Sequence, residues 1–369
     1  MRKTIDRTLL LILVLLVLVG FFIFTSASLG LLAREGARFS SVAMSQILFG
    51  IVGGTIALSI TANVHYRVWR KYAFYIMLAG LALTAIVFTP LGMEHGGARR
   101  WVDLGFVSFQ PAEFLKYAFI IYIGTWLSGM QKHVQSFTKG MLPFFGIIGI
   151  VGGLMLLQPD TDTFAIMAAT AVAMFLTAGG KWRDVFIAGA VGLVLFAILV
   201  FMRPYLMDRI TTFFDPSADP QGKSWQVKQS LIALGSGGFA GRGFGQSIQK
   251  FEYLPEPTND SIFAVLGEEF GLVGTSLMVI LFALFALRGY RIATMAPDLF
   301  GMLLVVGITT VITLQAFLNI AAMVALAPLS GLPLPFVSHG GTALLATLGG
   351  VGIILNISRY RKPKQTKLT

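Results

Sequence analysis

An aspartate beside a basic, glycine-rich loop is the clearest chemical signal in this sequence. Asp260 lies in LPEPTND, directly before a long apolar run, where Asn259, Asp260 or Ser261 can cap a helix. The positive end of that helix would keep the Asp260 carboxyl ionised and able to accept a proton. Arg242 stands among the five glycines between positions 237 and 245, a pattern that can present N–H groups and a guanidinium to phosphate oxygens or can form a plain hairpin. These residue types suit a general base beside a phosphate-bearing group.

A second polar cluster lies in GGARRWVDLGFVSFQPAEFLKYAF. Glu113 and Lys116 are three residues apart and share a helix face. They predict either an ion pair that the membrane interface tolerates or one wall of a functional cavity. Arg99 and Arg100 can bind an anionic group or, next to Trp101, can anchor the chain at the interface.

Carboxylates recur at two further places. In LQPDTDTF, Asp160 and Asp162 can hold a hard divalent cation through oxygen ligands, or they can act as helix caps in a tight turn. Glu268 and Glu269 lie about two turns into the apolar run after Asp260, where at least one of them needs a buried partner. We expect that partner to be an Arg or Lys on the outer face of the protein.

The segment GLPLPFVSHGGTALL places hydroxyl and imidazole groups at the mouth of the last apolar run. Ser338, His339 and Thr342 are the residues concerned. A serine-hydrolase triad can be drawn from Ser338, His339 and Asp260. The sequence argues against it, because adjacent Ser and His side chains point in different directions and no nucleophile elbow is present.

These groups belong to an integral membrane protein. Only 12% of the 369 residues are charged and 56% are hydrophobic, whereas soluble domains carry roughly 25% charged residues. The net charge of +11 does not indicate binding to nucleic acid, because the basic residues form no dense patch. The lack of cysteine excludes disulfides, thiol catalysis and cysteine metal sites.

Apolar runs of spanning length predict an all-α fold of about ten transmembrane helices in one membrane domain, residues 1–369. The runs are Leu9–Ser28, Met44–Ala62, Tyr72–Thr89, Ala112–Ser128, Met141–Leu157, Thr163–Ala178, Val185–Met202, Ile262–Leu287, Leu299–Ala327 and Thr342–Ile357. With a cytoplasmic N-terminus, 17 of the 28 Lys and Arg fall on the inner side. The positive-inside rule therefore predicts that both termini are cytoplasmic and that the polar clusters face outward.

Two outer connections are unusual. The segment 203–261, between the seventh and eighth runs, has about 59 residues, and connections of that length are functional or disordered. Within it, Lys223 to Leu234 predicts a short helix in the membrane interface. The connection from Pro328 to Gly341 contains three prolines yet stays apolar, which predicts a broken-helix or re-entrant segment packed against protein.

In combination, these motifs resemble the SEDS family (shape, elongation, division and sporulation), which includes FtsW and RodA. The resemblance covers nearly the whole chain. It is carried by ARRWVDLG, FQPAEFLK, QPD, SGGFAGRGFGQSIQKFEYLPEPTNDSIFAVLGEEFGLVG, GLPLPFVSHGGTALL and LNISR. The stretch RGFGQSIQKFEYLPEP resembles the FtsW branch more than RodA.

The resemblance implies a peptidoglycan glycosyltransferase on the outer face of the bacterial cytoplasmic membrane. Such an enzyme joins lipid II units into β-1,4 glycan strands during cell division and cell-wall synthesis. The implied partners are lipid II, the growing glycan strand, membrane lipids, a class B penicillin-binding transpeptidase and other division or elongation proteins.

By resemblance, Asp260 is the essential aspartate, in NDSIFAV where the family usually reads TDFIFAV. The candidate substrate-binding residues are Arg99, Arg100, Gln110, Glu113, Lys116, Arg242, Lys250, Ser338 and His339. His339 replaces a common tyrosine. Asp162 is an additional carboxylate, because the family usually has Leu-Gly after QPD.

Inverting displacement of a sugar pyrophosphate needs a base on the acceptor hydroxyl and neutralisation of the departing pyrophosphate. We predict that Asp260 is the general base for the GlcNAc 4-hydroxyl. The candidates for the pyrophosphate are Arg99, Arg100, Lys116 and Arg242, alone or with a divalent cation such as Mg²⁺ or Mn²⁺.

Two other functions stay open at this point. A lipid II flippase would show charges at the bilayer midplane and repeated halves, whereas here no repeat is evident and the charges gather at the outer face. A non-enzymatic scaffold for a transpeptidase would need an interaction surface but no isolated carboxylate in a basic setting.

Overall fold

The computed structural model describes residues 4–34, 36–95, 98–103, 108–202, 204–214 and 223–361, and most of these residues are helical. The helices are α1 (Arg7–Arg34), α2 (Gly36–Ser45), α3 (Gly54–Asn63), α4 (Arg67–Ala85), α5 (Pro111–Gly129), α6 (Leu142–Leu157), α7 (Thr161–Thr177), α8 (Trp182–Met202), α9 (Pro204–Phe214), α10 (Lys223–Gly237), α11 (Gln249–Glu252), α12 (Ile262–Thr294), α13 (Leu299–Met323) and α14 (Gly341–Ser358). The π-helical stretches Gln46–Gly53 and Phe137–Met141 precede α3 and α6, and a short 3₁₀ turn, Ile86–Phe88, follows α4.

Each predicted apolar run coincides with helix, which confirms the helical membrane fold. Eight helical stretches in the described part of the chain are long and apolar enough to cross a membrane. The helix α7 has 17 residues and is shorter than these. The helix α5 has 19 residues, a length of about 28 Å at 1.5 Å per residue, but Glu113 and Lys116 lower its hydropathy.

The helices α13 and α14 form the centre of the bundle. Most of their residues are buried, whereas α8 is exposed along nearly its whole length. The helix α13 packs against α5, α7 and α12, and α14 packs against α3. Polar side chains on the two central helices therefore face protein rather than lipid, which is where the hydrocarbon core tolerates them.

A small antiparallel sheet lies between α4 and α5, where the sequence analysis predicted no strand. Its order is β1 (Gly92–His95), β2 (Ala98–Asp103) and β3 (Ser108–Phe109). A bulge interrupts the pairing of β1 with β2 between Met93 and Glu94. The strands are too short to give a clear alternation of apolar and polar residues, which is why the pattern does not reveal them.

In its described residues, the long connection before α12 contains three helices, α9, α10 and α11. The predicted helix over Lys223 to Leu234 is confirmed as α10, which packs on α12. The helix α9 was not predicted from the sequence; with 11 residues it is too short to be recognised as a membrane-spanning run. Gly271 interrupts α12 with φ 60° and ψ −155°, a conformation that glycine adopts readily. The glycine-rich segment supplies hydrogen-bond acceptors at this break in the helix. Leu272 N–H donates to Gly238 O (2.9 Å), and Val273 N–H donates to Phe239 O (3.2 Å).

The connection between α13 and α14 is non-helical, and from Leu332 onward most of its residues are buried against protein, which agrees with the predicted packing. Leu332, Leu334 and Val337 are almost fully enclosed. Gly20 of α1 lies directly against the backbone of this connection, so a Cβ at this position would meet the carbonyl oxygen of Phe336. Close packing of α1 on the connection therefore requires a residue without a side chain.

Polar groups collect at the two ends of the bundle. At one end, Asp6 pairs with Arg288 and Arg361. At the other end, Arg209 of α9 pairs with Asp162 of α7, and the connections around Asp260 meet. The first set of contacts thus joins the starts of α1 and of the C-terminal segment to α12, and the second joins the α6–α7 turn to α9.

We expect Gly20→Ala to destabilise the protein, although alanine normally stabilises a helix interior by about 0.5–1 kcal/mol relative to glycine. The added methyl group must displace backbone atoms of the α13–α14 connection, an overpacking that costs roughly 1–3 kcal/mol. Gly192→Ala in α8 is the matched control, because a Cβ there meets nothing within 4 Å. The thermal unfolding midpoint in detergent should fall for Gly20→Ala only; equal midpoints for the two variants would contradict the packing.

Candidate active site

Asp260 lies at the start of α12, and its carboxyl does not cap the helix. Ser261 is the flanking residue of the helix, and its side chain makes no capping hydrogen bond. The Oδ1 atom of Asp260 is buried and has no hydrogen-bond partner among the described residues. Gly331, at φ 57°, faces the carboxyl, and a Cβ there would stand 3.6 Å from Oδ2. The carboxyl is thus positioned by its backbone, and its buried Oδ1 atom is left without a partner in the described part of the chain.

The backbone around Asp260 is fixed by one side chain of α13. The Nδ2 group of Asn319 donates to Asp260 O (2.9 Å) and to Leu332 O (2.8 Å). Asn319 is buried, so both hydrogen bonds are shielded from water. They hold the start of α12 and the α13–α14 connection at a fixed separation.

The surroundings of Asp260 bring its titration close to neutrality. Its pKa is raised to about 7, first by burial and then by the negative charges of Glu256 and Asp162, while the positive charges of Arg209 and Arg100 oppose the rise. The carboxyl therefore changes charge near neutral pH, rather than staying ionised throughout as the helix end alone predicts. A base with this pKa is well matched to proton transfer at physiological pH.

The turn between α6 and α7 brings two acid–base pairs to the site. Arg100 of β2 donates to Pro159 O and stands 3.8 Å from Asp160, to which Gln110 also donates (3.3 Å). Arg209 of α9 binds Asp162 at 2.6 Å. Arg209 was not among the residues predicted from the sequence, although the extra carboxylate at Asp162 already indicated a need for a basic partner.

Alternation along β2 separates the two neighbouring arginines. Successive strand residues point to opposite faces, so Arg100 reaches the α6–α7 turn while Arg99 pairs with Glu94 in the exposed part of the sheet at 3.8 Å. The Arg100 side chain is 19% exposed and that of Arg99 is 54% exposed. Of the two arginines, Arg100 is the one that contributes to the field at Asp260.

The carboxylates proposed as metal ligands already interact with basic or amide side chains. Among the described residues, no group of three or more His, Asp or Glu is placed to hold one ion. Asp160 is engaged by Arg100 and Gln110, and Asp162 by Arg209. This donor set fits charge pairing better than a resident divalent cation, and the cation stays a prediction.

Glu113 and Lys116 form a buried pair, as one of the two sequence interpretations has it. The Lys116 ammonium stands 2.8 Å from Glu113 and also donates to Gln315 Oε1 (2.7 Å). Gln315 in turn donates to Pro333 O (2.9 Å). Lys116 is 2% exposed, so this chain of contacts holds the α13–α14 connection beside Asp260, and the ammonium has no open side for a pyrophosphate.

Both glutamates of α12 are buried and paired, which fulfils the expectation for at least one of them. Glu269 binds Lys250 at 2.7 Å and accepts from Ser26 of α1 (2.6 Å). Glu268 accepts from Ser247 (2.5 Å) and lies 3.7 Å from Arg242. These contacts pin the loop before α11 onto α12 and α1.

The glycine-rich loop uses part of its backbone within the protein. Arg242 N–H donates to Glu268 O (3.0 Å) and Gly243 N–H donates to Glu269 O (2.9 Å). Lys250 is fully enclosed, whereas the Arg242 side chain is 36% exposed. Of Arg242 and Lys250, only Arg242 has a side chain that solvent can reach.

Ser338 and His339 support the backbone on which Asp260 stands. Ser338 Oγ donates to Asn259 O (2.6 Å) and accepts from Leu334 N–H (2.8 Å), while His339 N–H donates to Thr258 O (2.7 Å). The Ser338 hydroxyl points to a carbonyl and not to an imidazole, so the serine-hydrolase alternative receives no support.

We expect Glu269→Gln to lower the free energy of unfolding by roughly 3–5 kcal/mol, because it leaves the enclosed Lys250 ammonium without a counter-charge. The matched control is Glu94→Gln, whose partner Arg99 is more than half exposed and whose loss costs about 0–1 kcal/mol. Chemical denaturation in detergent measures both. If Lys250 bound substrate instead of pinning the loop, Glu269→Gln would leave stability unchanged and alter KM.

Comparisons with known proteins agree with this architecture. Residues 6–363 match the family model of FtsW, RodA and SpoVE, described as cell cycle proteins. The chain is 40% identical to stage V sporulation protein E of Bacillus subtilis (strain 168) over 98% of this chain and 99% of that protein. It is 37% identical to a probable peptidoglycan glycosyltransferase FtsW of Geobacter sp. (strain M18) over 96% of both.

Solved structures share the fold. A chain from a peptidoglycan synthase complex that coordinates polymerization and crosslinking has a TM-score of 0.79 at 24% identity, with 97% of this chain and 98% of that chain covered. The rod shape determining protein RodA of Thermus thermophilus has a TM-score of 0.70 at 25% identity, with coverage of 97% and 98%.

Proposed function

The chain belongs to the FtsW, RodA and SpoVE family of cell cycle proteins, and from that premise we propose that it is a peptidoglycan glycosyltransferase whose reaction takes place at Asp260. Relatives that cover nearly its whole length are named as probable peptidoglycan glycosyltransferases. The predicted SEDS membership and FtsW-like character agree with these matches.

One observation carries the assignment of the base. Among the described residues, Asp260 Oδ1 is a buried carboxylate oxygen without a hydrogen-bond partner, and the pKa of the group is raised to about 7. An unsatisfied buried acceptor costs stability, so its presence here favours a role in binding or proton transfer. Arg100 and Arg209 supply positive charge nearby.

The reaction is a single inverting displacement. The Asp260 carboxylate takes the proton of the acceptor sugar's 4-hydroxyl while that oxygen attacks the anomeric carbon of the donor, and the bond from this carbon to the pyrophosphate oxygen breaks. The α-linked donor thereby gives a β-1,4 linkage, and the lipid pyrophosphate leaves with the bonding electron pair. No protein acid is needed, because cations stabilise the leaving group.

Arg209 and Arg100 are the groups that we assign to the pyrophosphate, with Arg242 as a further open guanidinium. Guanidinium forks match phosphate oxygens in pairs, and both Arg209 and Arg100 already hold carboxylates in the free protein. Mg²⁺ or Mn²⁺ remains a proposed addition to this charge. Loss of polymerisation in EDTA, with recovery on adding Mg²⁺, would support it.

The proposed setting is the outer surface of a bacterial cytoplasmic membrane, with both termini in the cytoplasm. The excess of Lys and Arg at the end of the bundle that holds Asp6 and Arg361 supports this orientation. Lipid II and the growing glycan strand are the proposed substrates. A class B penicillin-binding transpeptidase is the proposed partner, and the fold shared with a chain of a peptidoglycan synthase complex supports it.

We expect Asp260→Asn to lower glycan polymerisation by at least about 100-fold, the usual contribution of a general base. The isosteric amide keeps the shape and cannot accept the proton. Asp208→Asn is the matched control, because Asp208 of α9 is exposed in the same connection and loses the same charge. Purified protein with fluorescent lipid II, with and without transpeptidase, gives the readout.

The same assay separates the alternative functions. Polymer from wild type that Asp260→Asn does not form supports the enzyme. Translocation of lipid II without polymer would indicate a flippase, and neither product would indicate a scaffold.

We expect the rate of polymerisation to rise with pH through about 7, because the base must lose its proton and its pKa lies there. Asp162→Asn should move this rise to lower pH. It removes a negative charge that raises the pKa of Asp260, and it releases Arg209 from its ion pair, so both changes favour the ionised carboxyl. Arg209→Gln should move the rise to higher pH. Profiles of kcat/KM against pH check the directions, and a shift of Asp162→Asn to higher pH would contradict the assignment.

A further inference from the structure

A cavity lined by arginines lies at the end of the bundle opposite Asp260. Its volume is about 430 Å³, and it lies where the start of α1, the later part of α12 and the end of α14 meet. The walls carry Arg7, Arg288, Arg359 and Arg361, together with Asp6 and small polar side chains. The proposed glycosyl transfer at the other end of the bundle uses none of these residues.

The single carboxylate in the wall is already bound by two of the arginines. Arg288 holds Asp6 with two hydrogen bonds, Nε to Oδ1 (3.0 Å) and Nη2 to Oδ2 (2.7 Å), and Arg361 also contacts Oδ2. Although burial raises the pKa of Asp6, the bonds from Arg288 and Leu9 N–H and the charge of Arg361 hold it below its usual value. Asp6 is therefore ionised and offers one negative charge to four guanidinium groups.

The guanidinium N–H groups in the cavity wall outnumber the acceptors that the described residues offer them. Arg359 donates to Asn63 Oδ1 (3.1 Å), which is neutral. The Nε atoms of Arg359 and Arg361 are buried and have no acceptor within the part of the chain that the structure describes. Four guanidinium charges against one carboxylate leave an excess of three positive charges on the lining residues. Like charges this close repel one another unless an anion joins them.

We propose that this cavity is a binding site for a phosphate-bearing anion, such as the headgroup of an anionic membrane lipid. The planar fork of arginine pairs its N–H groups with two phosphate oxygens, and the unused N–H groups of Arg359 and Arg361 are of this kind. A volume of about 430 Å³ lies within the range of small-molecule sites. Its place at helix ends is where lipid headgroups lie.

The sequence continues this charge beyond the cavity. Arg2 and Lys3 precede the described residues, and Lys362, Lys364 and Lys367 follow them, with no acidic residue in either stretch. Basic residues at the ends of membrane helices attract anionic lipids over about a Debye length. The composition of both termini thus favours the same class of ligand as the cavity does.

The test compares anions and variants on the full chain in neutral detergent. Native mass spectrometry measures retention of phosphatidylglycerol and, as a neutral lipid of the same acyl chains, phosphatidylcholine. Sodium phosphate as a competitor tests a soluble source. The double variant Arg7→Gln/Arg359→Gln removes two wall charges and keeps the Asp6–Arg288 pair. The matched control Lys132→Gln/Lys139→Gln removes two exposed charges between α5 and α6, outside the cavity.

We expect the cavity variant to weaken retention of phosphatidylglycerol at least about fivefold, with the control variant close to wild type and phosphatidylcholine unaffected. Competition by sodium phosphate that the cavity variant abolishes would support the same site with a soluble ligand. Equal weakening in both double variants, or no binding of either anion to wild type, would overturn the proposal. Thermal unfolding of each variant shows that the comparison is made between folded proteins.

Discussion

The need to satisfy non-helical backbone without water governs the arrangement around the candidate active site. Backbone groups that are buried in protein cannot bind water, so a buried irregular segment must find its donors and acceptors within the protein. The α13–α14 connection finds them in the amides of Gln315 and Asn319, which bind Pro333 O and Leu332 O, and in Ser338 Oγ, which joins Leu334 N–H to Asn259 O. Because Asn319 also binds Asp260 O, the bonds that make the connection possible are those that position the proposed base.

Charge pairing distinguishes the carboxylates that stabilise the fold from the carboxylate of the candidate active site. Glu113, Glu268 and Glu269 are enclosed, and each has a basic partner. Breaking such a pair leaves an uncompensated buried charge, and the pairs therefore fix the segments they join. Asp260 differs, because its carboxyl interacts with Arg100 and Arg209 through the field alone while these arginines bind other carboxylates. A group that must exchange a proton cannot be held in a strong ion pair, since the pair would depress its pKa and weaken it as a base.

The sequence predicts the helices well and the pairing poorly. Apolar runs of spanning length report on the bilayer, which imposes the same requirement on every span, and all the predicted runs are helical. The sequence contains no comparable pattern for partners across the bundle. Asp162 has no basic residue near it in sequence, and nothing in the spacing identifies Arg209, 47 residues away, as its partner. Lys250 is predicted from the sequence as a substrate-binding residue, and in the structure it is enclosed because Glu269 and Ser26 converge on it. Residue type therefore identifies which groups need a partner, and only the packing of helices decides which partner they receive.

The two ends of the bundle show opposite solutions to the same electrostatic problem. At the end with Asp260, burial and then nearby negative charges raise the pKa of a carboxyl whose Oδ1 has no described partner, and the nearby arginines are paired with other carboxylates. At the opposite end, Asp6 is saturated by Arg288 and Arg361, and it is the cations that are in excess. A carboxylate without a counter-charge becomes a base near neutral pH, whereas arginine keeps its proton and can only recruit an anion. The chemistry that each end can support follows from which sign of charge the fold leaves unmatched.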